Sequence, residues 1–179
     1  SGKTFRCEQK AAVYNERPEF ATQRKRGTGG TSESFAVAVS RGHPFVLIDN
    51  IRGTYDSTEI ESFLTNRAGF NARIPYSVQR VNPYSFFVSM TSNGVKISRD
   101  LANRSCYVRI LKQPPDYQFQ ALGGDPIDHF RENHFMYLTA ILSIVRLYAE
   151  AGQPTTQESR HNFRDWARRM DWVVQNFFD

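Results

Sequence analysis

The sequence predicts an α/β fold, a parallel sheet with helices between its strands, followed by helices alone at the carboxyl end. Three observations predict it. Phe45-Val46-Leu47-Ile48 is an unbroken apolar run between Pro44 and Asp49-Asn50, as a strand covered on both faces requires. Segments with helical spacing alternate with strand-like segments between Thr31 and Leu111. Beyond Gly124 the apolar residues recur only at helical spacing.

In chain order, residues 1–30 show little helical periodicity and are expected to be irregular or to form short strands. They carry the basic run Arg24-Lys25-Arg26 and then Gly27-Thr28-Gly29-Gly30, which reads as a solvated loop or, alternatively, as a phosphate or DNA contact. Thr31 is placed to cap a short helix with Phe35, Ala38 and Val39 on one face, ending at Gly42. The strand at residues 45–48 follows. Asp56 or Ser57 then caps a helix whose Ile60, Phe63 and Leu64 face the core. A short strand is expected near residues 72–75, a second buried strand at 84–90 and a third at 106–111. Two helices close the chain. One carries Ile127, Phe130, Phe135, Leu138, Ile141, Leu142, Val145 and Tyr148; the other carries Phe163, Trp166, Ala167, Met170, Val173, Val174 and Phe177.

With 179 residues, the chain matches one core with a helical appendage. A 40% hydrophobic content is ordinary for a globular protein, and no apolar run approaches the roughly 20 residues of a membrane span, so no membrane partner is expected. No signal-peptide pattern opens the chain, and Cys7 and Cys106 are too isolated for a disulfide framework or a zinc site. A cytoplasmic setting is the expectation. Lys plus Arg outnumber Asp plus Glu by 23 to 18, and the basic side is mostly Arg, which suits phosphate. The charge by itself leaves nucleic-acid binding open.

The carboxyl end of a buried parallel strand is where α/β folds place ligand chemistry, because the crevice opens there. Asp49 ends the first such strand. The second ends in Thr91-Ser92-Asn93, whose amide is suited to orienting a water or a phosphate. Arg99 and Arg104 follow it, placed to reach a nucleotide on a neighbouring subunit. The chain opens Ser1-Gly2-Lys3-Thr4, either the tail of a phosphate-binding G-x-x-x-x-G-K-[ST] loop or a chance tetrapeptide. Gly27-Thr28-Gly29-Gly30 is no substitute, since no Lys follows at the right position. The histidines His43, His129, His134 and His161 share no ligand spacing. Trp166 and Trp172 read as packing residues, and Arg160, Arg164, Arg168 and Arg169 as a solvated helical face with DNA contact as the alternative.

Residues 45–65 (FVLIDNIRGTYDSTEIESFLT), 72–76 (ARIPY), 91–94 (TSNG) and 99–104 (RDLANR) together resemble the ATPase part of phage, plasmid and genomic-island replication proteins. Many members of that family join a helicase ATPase to a primase. The similarity extends through 29–35 (GGTSESF) and 161–166 (HNFRDW), covering roughly residues 27–179. The resemblance implies a parallel-sheet P-loop NTPase core of the AAA+ type with a carboxyl-terminal helical lid. Its expected parts are a possible P-loop remnant in 1–30, an ATPase core over 31–115 and the lid over 116–179. It also implies ATP and Mg²⁺ as cofactors, an oligomeric ring of this chain, and single-stranded or forked DNA as partner in a bacterial or phage-infected cell. Asp49 is then the Walker B carboxylate holding Mg²⁺ through water, and Asn93 the sensor that orients the terminal phosphate. Arg104 is the intersubunit arginine finger, Arg99 its nearest substitute, and Gly2, Lys3 and Thr4 the nucleotide-binding remnant.

Two departures from the family pattern matter, and the larger is that only Gly2-Lys3-Thr4 of the G-x-x-x-x-G-K-[ST] loop is present, without its glycine-rich half. Many such ATPases follow the Walker B Asp with Glu, which polarises the attacking water; here Asn50 stands in that place and cannot take a proton. Either Glu33 or Asp56 supplies the missing carboxylate, or hydrolysis is slow. Two readings from other classes therefore stand beside the ATPase. One is an incomplete ATPase-like module for assembly or DNA binding. The other is a nuclease using Asp49 and Asp56 as metal carboxylates.

Overall fold

The computed structural model of the chain describes residues 2–23, 30–66, 68–111, 113–118 and 123–178. The basic run 24–26 and the glycines at 27 and 29 lie outside the described residues. The chain divides into two compact units, Ser1–Glu132 and Asn133–Asp179.

The first unit is α/β. Its central sheet has the order β1-β2-β6, with strands β1 (Glu19–Thr22), β2 (Phe45–Ile51) and β6 (Phe87–Ser92) all parallel. As the middle strand, β2 is covered on both faces, and Val46, Leu47 and Ile48 are buried. Successive side chains of a strand point to opposite faces, so these residues divide between two layers.

Val46, Ile48 and Ile51 join one hydrophobic cluster with α2 (Thr31–Ser40) and α3 (Thr58–Thr65). At its centre Phe63 meets Phe35 and Phe70 edge-on, with ring centroids 5.0 and 5.2 Å apart. Ser57 caps α3 by accepting the Ile60 N–H at 3.3 Å, one of the two caps expected there. Thr31 does not cap α2; Gly30 occupies that position, and no side chain caps the helix.

On the opposite face lie Phe45, Leu47 and Asp49, and α1 (Lys3–Val13) packs there through its buried Ala11 and Ala12. Tyr14 meets Phe45 with tilted rings, centroids 5.4 Å apart, and Lys10 sits 5.6 Å over the Phe87 ring. Whereas β1 is a short strand of the kind expected in the amino-terminal segment, this helix corrects the expectation of little helical periodicity there. Its contact face is made of alanines, which carry strong helix propensity and let the backbone approach the sheet closely, but which contribute little to an apolar stripe.

Three further expectations are corrected. The strand expected at 84–90 begins later, at Phe87, because Asn82 caps a 3₁₀ turn over Pro83–Ser85 by accepting the Tyr84 N–H. It is also half-exposed rather than buried. The strand near 72–75 is β4 (Phe70–Ile74), which forms an antiparallel hairpin with β5 (Ser77–Val81) in a separate sheet. Residues 106–111 form no strand: β6 pairs only with β2 among the described residues, and the alternating segment, without a ladder partner, is exposed. A two-residue parallel pair, β3 (Thr54–Tyr55) with β7 (Lys96–Ile97), leads into α4 (Arg99–Asn103), and α5 (Pro126–Glu132) packs on α1.

In the second unit α6 (His134–Glu150) and α7 (Arg164–Phe177) meet through Tyr148 and Trp172, 5.6 Å apart. A break at Asn133 separates α5 from α6 within what periodicity presents as one helix. The loop between α6 and α7 is bound to α7. Thr156 donates to Asp171 at 2.6 Å, Arg168 to the Glu158 carbonyl at 3.2 Å and Arg169 to Gln153 at 2.8 Å. Arg168 and Arg169 thus hold the unit together instead of forming the solvated face expected of them. Arg160 chelates Glu158 and holds its carboxyl down at about 2. No helix among the described residues is long and apolar enough to cross a membrane.

Candidate functional site

The carboxyl edge of the parallel sheet receives three segments that are far apart in sequence. Because Phe45, Leu47 and Asp49 share the face covered by α1, the Asp49 carboxylate emerges beside the amino-terminal turn of that helix. There the Thr4 hydroxyl donates to Asp49 Oδ1 at 2.7 Å. From the neighbouring strand, the Thr91 hydroxyl donates to the same oxygen at 2.5 Å. The Thr91 oxygen also accepts the Asn50 N–H at 2.9 Å.

The strand itself explains that last bond. Asn50 has φ 55°, and the β2–β6 register shifts between Ile48 and Ile51. The distortion removes the Asn50 amide from the ladder, and the hydroxyl of the buried Thr91 takes it.

Lys3 completes the arrangement by donating from Nζ to Asn93 Oδ1 at 2.7 Å. Gly2, immediately before the helix, has φ 55°, a left-handed conformation that glycine adopts without strain. The first turn of α1 holds no acidic residue, so its free amides and the positive end of its dipole are not neutralised from within the helix.

These side chains enclose a pocket of about 270 Å³ lined by Lys3, Thr4, Asp49, Asn50, Arg52, Thr91, Ser92 and Asn93. Asp49 is its one carboxylate. Lys3 and Arg52 place two positive charges around it, so the pocket is suited to an anion.

Of the residues singled out from the sequence, Lys3, Thr4, Asp49, Asn50 and Asn93 meet here, with Gly2 adjacent. Arg99 and Arg104 do not. Arg99 is exposed on the first turn of α4. Arg104 follows that helix, with Nη1 3.7 Å from Glu61 Oε2; Glu61 also accepts the Ser98 hydroxyl at 2.5 Å. Neither substitute carboxylate reaches the pocket: Glu33 lies in the first turn of α2 beside a different depression, and Asp56 is exposed on the loop before α3. The nuclease pairing of Asp49 with Asp56 therefore has no shared site. No cluster of three or more metal-ligating side chains occurs among the described residues. Sequence reading missed Arg52, whose only signal was its position three residues beyond a strand-ending Asp.

The fold and pocket define an α/β protein with a polar, cation-lined site at the carboxyl edge of a parallel sheet. No protein-family model, curated protein or solved structure matches the chain.

Proposed function

We propose that this chain is a nucleoside-triphosphate-binding module of the P-loop, AAA+-like type, serving as the ATPase of a ring-forming helicase in mobile-element replication. The observation that carries the reading is the convergence of Lys3 and Thr4, at the start of α1, with Asp49, near the carboxyl end of β2, and Asn93, just beyond β6. In P-loop enzymes a lysine reaches the terminal phosphates, a hydroxyl and a strand-end aspartate hold Mg²⁺, and a polar side chain orients the attacking water. Lys3, Thr4, Asp49 and Asn93 carry the side chains those three functions call for, and all four line one pocket.

The donor set fits Mg²⁺. This ion keeps several waters and takes few protein oxygens, and Thr4 Oγ1 and Asp49 Oδ1 lie 2.7 Å apart at the pocket wall. When bound, the ion would neutralise charge on the phosphate oxygens. Lys3 adds a point charge, the Asn93 amide orients the terminal phosphate or water, and the Thr91 hydroxyl holds the Asp49 carboxylate in place at the pocket wall. In this reading Arg104, outside the pocket of its own chain, serves a neighbouring subunit, and the two-helix unit corresponds to the lid of the resembled family.

Binding without efficient turnover is the second reading, and Asn50 favours it. The pocket has no carboxylate besides Asp49 to accept a proton from water. Calorimetric titration with Mg-ATP tests the main proposal. Asp49→Ala and Lys3→Ala are each expected to weaken binding by about tenfold or more. Equal affinity in a well-folded Asp49→Ala protein would overturn it.

A further inference from the structure

Arg52 has no role in the chemistry described so far, and its surroundings are unusual for an exposed arginine. It stands just beyond β2, where the chain turns sharply between Asn50 (φ 55°) and Gly53 (φ 71°). Its backbone is nevertheless held on both sides by one side chain. The Arg52 N–H donates to Gln23 Oε1 at 2.8 Å, and Gln23 Nε2 donates to the Arg52 carbonyl at 3.3 Å. Gln23 immediately follows β1, so its amide extends the β1–β2 ladder by one pair that the strands themselves do not make.

The backbone is thus fixed while the guanidinium is left without an anion. No carboxylate among the described residues lies within ion-pair distance of Arg52, although it lines the same pocket as Lys3. The one carboxylate of that pocket, Asp49, already accepts from Thr4 and Thr91. A guanidinium carries five donors in a planar fork suited to oxyanions, and one held on a fixed backbone loses less freedom on binding.

We propose that Arg52 is an oxyanion-binding residue of this pocket, contacting the phosphate chain of a nucleotide bound to its own subunit, and that Gln23 is its positioning residue. The proposal rests on the nucleotide reading above for the identity of the ligand, but the anion site itself does not depend on it. Two cations from different elements, Lys3 from α1 and Arg52 from the β2 edge, then grip the phosphates from separate directions. This cation acts within one chain, unlike the role proposed for Arg104.

The test is calorimetric binding of Mg-ATP and of inorganic tripolyphosphate to the full chain and to Arg52→Ala, Arg52→Lys, Gln23→Ala and the double variant, with folding checked by thermal melts. Arg52→Ala is expected to weaken both ligands by about tenfold, with Arg52→Lys recovering only part because it keeps the charge but loses the fork. Gln23→Ala should weaken binding less, and should cost nothing further once Arg52 is Ala; an undiminished loss in that background would show Gln23 acting through general stability and would remove it from the proposal. Unchanged affinity in a folded Arg52→Ala protein, with Lys3→Ala still impaired, would overturn the role of Arg52 and leave the nucleotide reading standing. Arg52-dependent binding of tripolyphosphate without binding of ATP would support the anion site and sink the nucleotide reading. No binding of either ligand to the unaltered chain would overturn both.

Discussion

At the residue scale, Thr91 links the pocket to the sheet with a single hydroxyl, which donates to Asp49 and accepts from the Asn50 amide. Thr91→Val keeps the shape and removes both bonds. It leaves a backbone amide and a carboxylate short of partners, so a loss of about 1–3 kcal/mol in denaturant unfolding is expected, together with weaker nucleotide binding. Tyr55 presents the reverse case. Its hydroxyl is buried without a hydrogen-bond partner, Ser57 lying close but not in bonding geometry, and burial pushes its pKa from 10.0 up to about 12. A raised folded-state pKa means stability present below pH 10 and lost as pH rises toward 12. Tyr55→Phe should therefore be neutral or stabilising by up to about 1 kcal/mol near neutrality and should lack that alkaline loss. Parallel unfolding curves for the two proteins across this range would contradict the assignment.

At the element scale, the β4–β5 hairpin buries one face of β4 and only Val81 of β5, Ser77 and Gln79 staying exposed. Phe70, Ala72 and Val81 are buried in the core, while Asn71, Arg73, Val78 and Arg80 alternate with them on the exposed face. Tyr76 occupies the two-residue turn with φ 62° and is fully exposed, although a bulky residue in that conformation costs roughly 1–2 kcal/mol. A fully exposed aromatic ring is suited to stacking on an unpaired base, as the proposed DNA binding would require. We predict that Tyr76→Gly retains or slightly raises thermal stability while weakening single-stranded oligonucleotide binding by about tenfold, measured by fluorescence anisotropy. Unaltered oligonucleotide affinity would count against Tyr76 having a part in the proposed DNA binding.

At the scale of the whole molecule, the separation of Arg104 from the pocket bears directly on assembly. If the arginine serves a neighbouring subunit, Arg104→Ala keeps its own nucleotide pocket and Asp49→Ala keeps its own arginine. Each protein by itself should bind or present normally yet turn over slowly, by a factor of up to about 10³ for the arginine variant. Mixing the two should restore part of the hydrolysis, because an Asp49→Ala subunit can present Arg104 to an intact pocket next to it. Mixtures no more active than the separate variants would count against action between subunits.

Much of the sheet was legible in the sequence because burial on both faces leaves a local mark. Phe45-Val46-Leu47-Ile48 could be little but a covered parallel strand, and Asp49 was legible as the acidic residue near its carboxyl end for the same reason. The helices with bulky stripes, α2, α3, α6 and α7, were visible through their 3.6-residue period. The first helix was only faintly legible, as a mediocre helix over residues 5–15, since its buried residues are Ala11 and Ala12, and such small residues leave little hydrophobic stripe. The segment 106–111 misled in the opposite direction: its alternation is local, but a strand exists only where another backbone completes the ladder. For the pocket, sequence alone marked Asp49, Asn93 and the opening Gly2-Lys3-Thr4 as separate fragments. Only the tertiary structure decided that Thr4 bonds Asp49 across 45 positions and Lys3 bonds Asn93 across 90, and that Arg52 joins them while Arg104 does not. Such contacts depend on which face of a strand a helix covers, and that is settled by the packing of the whole sheet, which no local run of residues encodes.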